Sequence, residues 1–132
     1  MSKRPPVEEE FLESKLEKAL EDAWSKVNIA FDKTSKSSAD VAMVIWFAAE
    51  ALEYSSLLFN LTYVLEDVKP TVKPRKGEAA EVLVKDSMEL LKQVREGRQR
   101  SAKDAYVNLR TAADYLKVAH LDQVKKSTKK RG

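Results

Sequence analysis

The sequence predicts an all-α fold: an antiparallel up-down four-helix bundle of two helical hairpins with flexible basic termini. Three observations carry this. Apolar residues recur at three- and four-residue steps through four separate stretches. Only 3 glycines and 4 prolines occur in 132 residues, and the prolines fall outside the periodic stretches. All the connections are short but one, and short connections make successive helices antiparallel neighbours. A chain of 132 residues suits one domain with one core. The expected organisation is an N-terminal arm over 1–7, the bundle over 8–124 and a basic disordered tail over 125–132.

The first helix is expected over about 8–33, with Leu12, Leu16, Ala19, Leu20, Ala23, Trp24, Val27, Ala30 and Phe31 on one face. Glu8, Glu9, Glu10 and Glu13 lie where the positive end of the helix dipole favours carboxylates. The linker TSKS follows. Ser37 suits an N-cap, and Asp40 stands three residues on, where its carboxylate reaches back to the capping residue's N–H.

The second helix, expected over about 38–66, is the organising element. It begins with nine consecutive apolar residues, Val41 to Ala49. On a wheel of about 100° per residue, Val41, Ile45, Ala48, Leu52, Phe59 and Tyr63 make a clean core face. Met43, Trp46, Leu57, Leu61 and Val64 share the other side with Glu50 and Glu53. A helix apolar on both sides needs a core on one and some further cover on the other. A membrane span is not expected, because Glu50, Glu53, Ser55, Ser56 and Asn60 interrupt the run. Each mid-span charge costs about 2.5–3.5 kcal/mol.

The one long connection, Asp67 to Gly77, reads DVKPTVKPRKG. Its prolines push the preceding lysines toward extended geometry. A third helix is expected over about 78–96 on a stripe of Ala80, Leu83, Val84, Met88, Leu91 and Val94, ended by Gly97 at a C′ position. Ser101 caps the fourth, with Asp104 three residues on. Its stripe is Ala102, Ala105, Tyr106, Leu109, Ala112, Ala113, Leu116 and His120, and it is expected to fray after about 124. The halves match at an offset of 64 residues, Ser37 with Ser101, Asp40 with Asp104, AAEAL with AADYL, a pattern that either an internal duplication or the shared periodicity of any two helical hairpins would produce. The stripes of helices one and three align at the same offset.

Little here points to catalysis. There is no cysteine, which removes disulfides, thiolate ligands and cysteine nucleophiles. No serine, cysteine or second histidine completes a nucleophilic triad in a recognisable motif, and there is no glycine-rich phosphate loop. Glu50, Glu53 and His120 are the only candidates for a carboxylate metal site, and the Glu-x-x-His pairs of a di-iron bundle are missing. Structural roles are expected instead: Glu50 and Glu53 pair with a cation of a neighbouring helix or emerge at a less covered side, and the ring of His120 bonds a carbonyl. The sequence therefore predicts a non-enzymatic protein with no cofactor and no small-molecule substrate.

The small and aromatic residues on antiparallel helices resemble the HEPN superfamily of nucleic-acid-associated bundles. That family's ribonucleases carry an arginine, four to six residues, then a histidine. The matching positions upstream of His120 are Ala113, Asp114 and Tyr115. The resemblance thus implies a related bundle without the nuclease chemistry.

Two features suggest binding. In an up-down-up-down bundle the N-terminus, the second connection and the C-terminus share one end. Lys3 and Arg4 would then join Lys69, Lys73, Arg75 and Lys76 and also Lys125, Lys126, Lys129, Lys130 and Arg131. These clustered cations would contact DNA or RNA through phosphates. No aromatic residue interleaves with them, so base stacking is not indicated. Arg95, Arg98, Arg100 and Lys103 form a second cluster at the other end. The alternative is a protein–protein interface, a homodimer or a partner site, through surplus apolar residues of helices two and four: Val107, Tyr115, Val118 and Leu121 on the latter. The start MSKRPPVEEE has no apolar h-region, so a cytoplasmic protein is expected. The Lys- and Glu-rich composition without cysteine resembles that of proteins from hot-living organisms.

Overall fold

Proline has no N–H to lose and a φ already suited to a helix, so it is favoured at a first helical position. The first helix accordingly starts at Pro6. The computed structural model describes residues 6–36, 40–63, 65, 78–97 and 101–131. Among them are four helices and no strand: α1 (Pro6–Ser35), α2 (Val41–Tyr63), α3 (Ala80–Arg95) and α4 (Ala102–Arg131).

The helix ends follow local chemistry. The Thr34 and Ser35 hydroxyls donate back to the carbonyls of Ala30 and Phe31 in the last turn of α1. The expected cap Ser37 lies outside the described residues. α2 begins at Val41, where the Val44 N–H donates to the Asp40 carbonyl. The Asp40 carboxylate lies 3.2 Å from Lys33 Nζ and ties the last turn of α1 to the start of α2. Gly97 adopts φ +68°, and its N–H donates to the Val94 carbonyl. A Cβ at that φ would be strained, so glycine fits the end of α3. The Ser101 Oγ accepts from the Asp104 N–H at 3.2 Å, as its position suggests. α4 runs on through Arg131, beyond the fraying point near 124.

Packing joins α1 to α2, α2 to α4, α4 to α3 and α3 to α1. Side-chain contacts give the directions. His120, about two-thirds of the way along α4, meets Ala42 at the start of α2, while Arg110 and Lys117, earlier in α4, meet Glu53, so α2 and α4 are antiparallel. Leu16 and Leu20 of α1 line one groove with Phe59 and Tyr63 of α2 and with Val94 of α3. The C-terminal ends of α2 and α3 therefore lie together. The helices run up, down, down, up, not in the alternating order expected from the sequence. α2 and α3 face each other across a diagonal, and the chain between them joins opposite ends of the bundle. That connection is the long one, which frees its two helices from having to be antiparallel neighbours.

The order has a simple origin in the repeat. Among the side chains described in α1, the buried ones are Leu16, Ala19, Ala23, Val27 and Ala30. Adding 64 gives Ala80, Leu83, Ser87, Leu91 and Val94, all buried in α3. In α2, Val41, Ile45, Ala48, Ala49, Leu52 and Ser55 are buried, and so are their counterparts Ala105, Leu109, Ala112, Ala113, Leu116 and Ala119 in α4. The two hairpins are thus related by an approximate two-fold axis perpendicular to the helices. Glu53 and Lys117, in contact and 64 residues apart, are equivalent positions that meet close to this axis. The match extends to shape and not always to chemistry. Ser87 donates a buried 2.9 Å bond to the Ala112 carbonyl, where its counterpart Ala23 has no hydroxyl.

Leu52 and Leu116 are equivalent and wholly enclosed. Replacing either by alanine is expected to cost about 2–5 kcal/mol, by lost burial and the cavity left behind. Val82→Ala, at an exposed position of α3, is expected to stay within about 0.5 kcal/mol. Urea denaturation of the three variants checks this, and a cost at Leu116 no larger than at Val82 would contradict the core assignment.

Candidate functional site

The core takes one face of α2 and leaves the opposite one bare. Ile45, Ala48 and Leu52 are fully buried. On the other side Met43, Trp46, Phe47, Tyr54, Leu57 and Leu61 are 41–55% exposed, and Glu50 is exposed among them. The sequence wheel placed Met43, Trp46, Glu50, Leu57 and Leu61 on this side but not Phe47 or Tyr54. Glu53, expected there too, turns toward α4, and Val64 lies outside the described residues. Tyr63 departs from the burial expected on the core side. That residue sits on the core side but in the last turn, where it is 47% exposed and its ring stacks on Phe59 at 4.7 Å. The stripe runs the length of a 23-residue helix. α2 is the one described helix long and apolar enough to cross a membrane, and half of its most apolar window is buried inside the bundle.

Glu50 and Glu53 have separate fates. Glu53 turns toward α4, where one carboxylate oxygen lies 3.1 Å from Lys117 Nζ and 3.6 Å from an Arg110 guanidinium nitrogen. It is a bridge between helices. Glu50 remains on the outer stripe and, among the described residues, makes no ion pair. His120 Nδ1 lies 2.9 Å from the Ala42 carbonyl oxygen. A carbonyl only accepts, so Nδ1 carries the proton in this contact. The ring also rests against Trp46, with centroids 5.1 Å apart. Glu50, Glu53 and His120 do not converge, and the described residues hold no group of three potential metal-ligating His, Cys, Asp or Glu side chains. Arg110 precedes His120 by about 15 Å of helix axis and is engaged by Glu53.

The residues expected to bind partners are dispersed. On α4, Val107, Tyr115 and Val118 are half-buried, the last two against the core, and Leu121 is 58% exposed. Most of the uncovered apolar surface therefore belongs to α2. Its register could have been found in the sequence: Met43, Phe47, Glu50, Tyr54, Leu57 and Leu61 are spaced four, three, four, three and four. Phe47 lies inside the nine-residue apolar run, where no polar residue marks a face, and Tyr54 lies beyond it.

Of the expected phosphate-binding cations, Lys69, Lys73, Arg75 and Lys76 lie outside the described residues, as do Lys3 and Arg4. Lys125 is exposed, and the helix backbone of α4 continues through Lys126, Lys129, Lys130 and Arg131. Because His120 already stands level with the start of α2, residues 121–131 extend about 16 Å past it. α1 begins at the opposite end of the bundle. The convergence of both termini at one end, which depended on alternating directions, is therefore not the arrangement seen. Arg95 of the second basic cluster lies over the Trp24 ring at 5.0 Å, a cation–π contact between α3 and α1.

Compared with family models, curated proteins and solved structures, the chain matches none.

The Glu53 bridge is partly exposed, with side-chain accessibilities of 24–39% across its three members. Glu53→Gln is expected to lower stability by about 0.5–1 kcal/mol at low salt. The difference should shrink in 1 M salt, where the screening length falls to about 3 Å. Paired denaturation curves at the two salt levels test this, and a loss unchanged by salt would mean that packing outweighs charge at this position.

Proposed function

We propose that this chain is a non-enzymatic interaction module whose working surface is the outer face of α2. One observation carries the reading: a full-length stripe of large apolar side chains, about half open, on a helix whose other face already has its core. Surfaces of monomers rarely expose contiguous apolar patches above a few hundred Å², and larger ones mark binding sites. The stripe's aromatic and leucine side chains are of the kind that anchors protein interfaces, and polar residues flank it. Two of the three polar groups weighed for a metal site have structural partners: Glu53 has Arg110 and Lys117, and His120 has a carbonyl and Trp46.

Leu57 is exposed on its own bundle, so Leu57→Asp should leave the helical content and monomer fold intact. Capture from native extract, with and without nuclease, should then yield partners with the wild-type chain that the variant loses. Equal capture by both would remove the outer face of α2 from the proposal.

A second reading has its own observation. α4 stays helical through a basic run that projects beyond α2, bringing Lys125, Lys126, Lys129, Lys130 and Arg131 into a spacing of three and four. Such a helix end would neutralise DNA or RNA phosphates without reading bases. If these five cations contact phosphate, affinity for a double-stranded oligonucleotide should fall steeply with log salt, with a slope of roughly −0.9 per contact. Removing residues 125–132 should flatten that slope. Fluorescence anisotropy between low and moderate salt measures both, and a slope near zero for the full chain would dismiss this reading.

A further inference from the structure

The outer stripe of α2 has a property that an arbitrary apolar patch lacks: its spacing is symmetric. Met43, Phe47, Glu50, Tyr54, Leu57 and Leu61 step by four, three, four, three and four, the alternation of coiled-coil core positions. Read backwards, the series is the same. We propose that the occupant of this face is a second copy of the chain, its α2 laid antiparallel on the first across a two-fold axis at the level of Leu52. The inference rests on the outer face of α2 being the working surface and names its partner.

Antiparallel pairing about that point sets Met43 against Leu61 of the second copy, Phe47 against Leu57 and Glu50 against Tyr54. Each contact occurs twice, as an isologous interface requires. The apolar members of the stripe meet only apolar members. The two polar groups also meet each other. Glu50 offers a carboxylate that accepts, and Tyr54, 51% exposed, offers a hydroxyl that donates. Neither makes a hydrogen bond among the described residues. A parallel pairing would instead stack Glu50 on Glu50 within the seam, two like charges with no cation on the stripe to offset them.

The area fits as well. With Trp46 at its flank, the stripe has six large apolar side chains that are 41–55% exposed. At on the order of 100 Å² each they supply roughly 600 Å² per partner, within the roughly 600–1,000 Å² of a standard interface. The equivalent positions of α4 hold Val107, Thr111, Asp114, Val118, Leu121 and Lys125. That series has only three apolar members and a cation at its end, so only one of the two pseudo-symmetric faces is built for self-pairing.

The chain has no cysteine, so single introduced thiols report register without interference. Met43→Cys and Leu61→Cys alter exposed side chains and leave the bundle core untouched. Mixed and mildly oxidised, the two variants should form a disulfide-linked dimer on a non-reducing gel. Either variant alone should form none, because like positions in the antiparallel pair lie roughly 27 Å apart. Sedimentation equilibrium of the wild type should show a dimer, and Leu57→Asp should weaken it by at least a hundredfold. Cross-linking of each variant with itself, or a wild type that is monomeric up to high micromolar concentration, would overturn the proposal. A monomeric wild type that still loses extract partners on Leu57→Asp would overturn self-pairing alone. If the variant and the wild type also capture the same proteins, the interaction reading falls with it.

Discussion

The constraint on which the molecule depends is the burial of α2. Its inner half must be covered by two neighbours at once, because buried residues from Ala49 through Ile45, Leu52 and Ala48 to Ala51 and Leu58 span about half of the helix circumference, wider than one ordinary stripe. α1 covers one flank and α4 the other. Small residues make this possible. Alanine and serine on α2, and alanine on α4, fill much of the buried surface, so that backbones approach closely and leucine and isoleucine fill the space that remains. α3 then closes the ring by packing on α1 and α4. The shape of each contact follows from where alanine sits and where leucine sits.

The same burial pattern occurs twice, and this explains why the helices do not alternate in direction. Two copies of one hairpin, packed through a two-fold axis, place α1 against α3 and α2 against α4, each pair antiparallel. The chain that links the copies must then join opposite ends. A long connection is a consequence of the symmetry. At the axis, equivalent residues are brought together, and a like pair of charges there would repel. Here the two positions hold opposite charges, Glu53 on one hairpin and Lys117 on the other, so the contact is attractive. Away from the axis the two hairpins differ in what they expose, and the apolar stripe lies on α2.

Much of this was legible in the sequence. Every residue placed on the stripe of α3 is buried or packed on the core. Gly97 and Ser101 end and begin their helices as their chemistry requires. These features are local, and a periodicity of 3.6 or a cap reads from a dozen residues. Helix order around the ring was not legible, because it depends on which faces meet over 64 residues or more. The offset between the halves held that information, in the recurrence of buried positions rather than of residue types. AAEAL and AADYL were its visible trace. The candidate surface was partly legible for the same reason. The wheel placed Met43, Trp46, Leu57 and Leu61 away from the core, but it gave no way to tell a face awaiting α3 from a face awaiting nothing in the same chain.

Glu50 bears most directly on what covers that face. A carboxylate in the middle of an apolar stripe costs stability in any dry interface unless it is bonded. Three residues on, Glu53 shows one solution within the chain: it swings to α4 and is held by two cations. Glu50 stays exposed on the outer stripe, with no ion pair among the described residues. Were the stripe merely exposed, replacing Glu50 by any polar residue would be neutral, and its place at a repeat position would be an accident of spacing. Were the stripe the seam of a pair, a lone acceptor there would select the register that brings a donor opposite, as a single polar residue does in coiled coils. The only large side chain of the series that can donate is Tyr54, and only the antiparallel register presents it. In such a pair, the residue that most interrupts the apolar face would be the one that gives the face a direction.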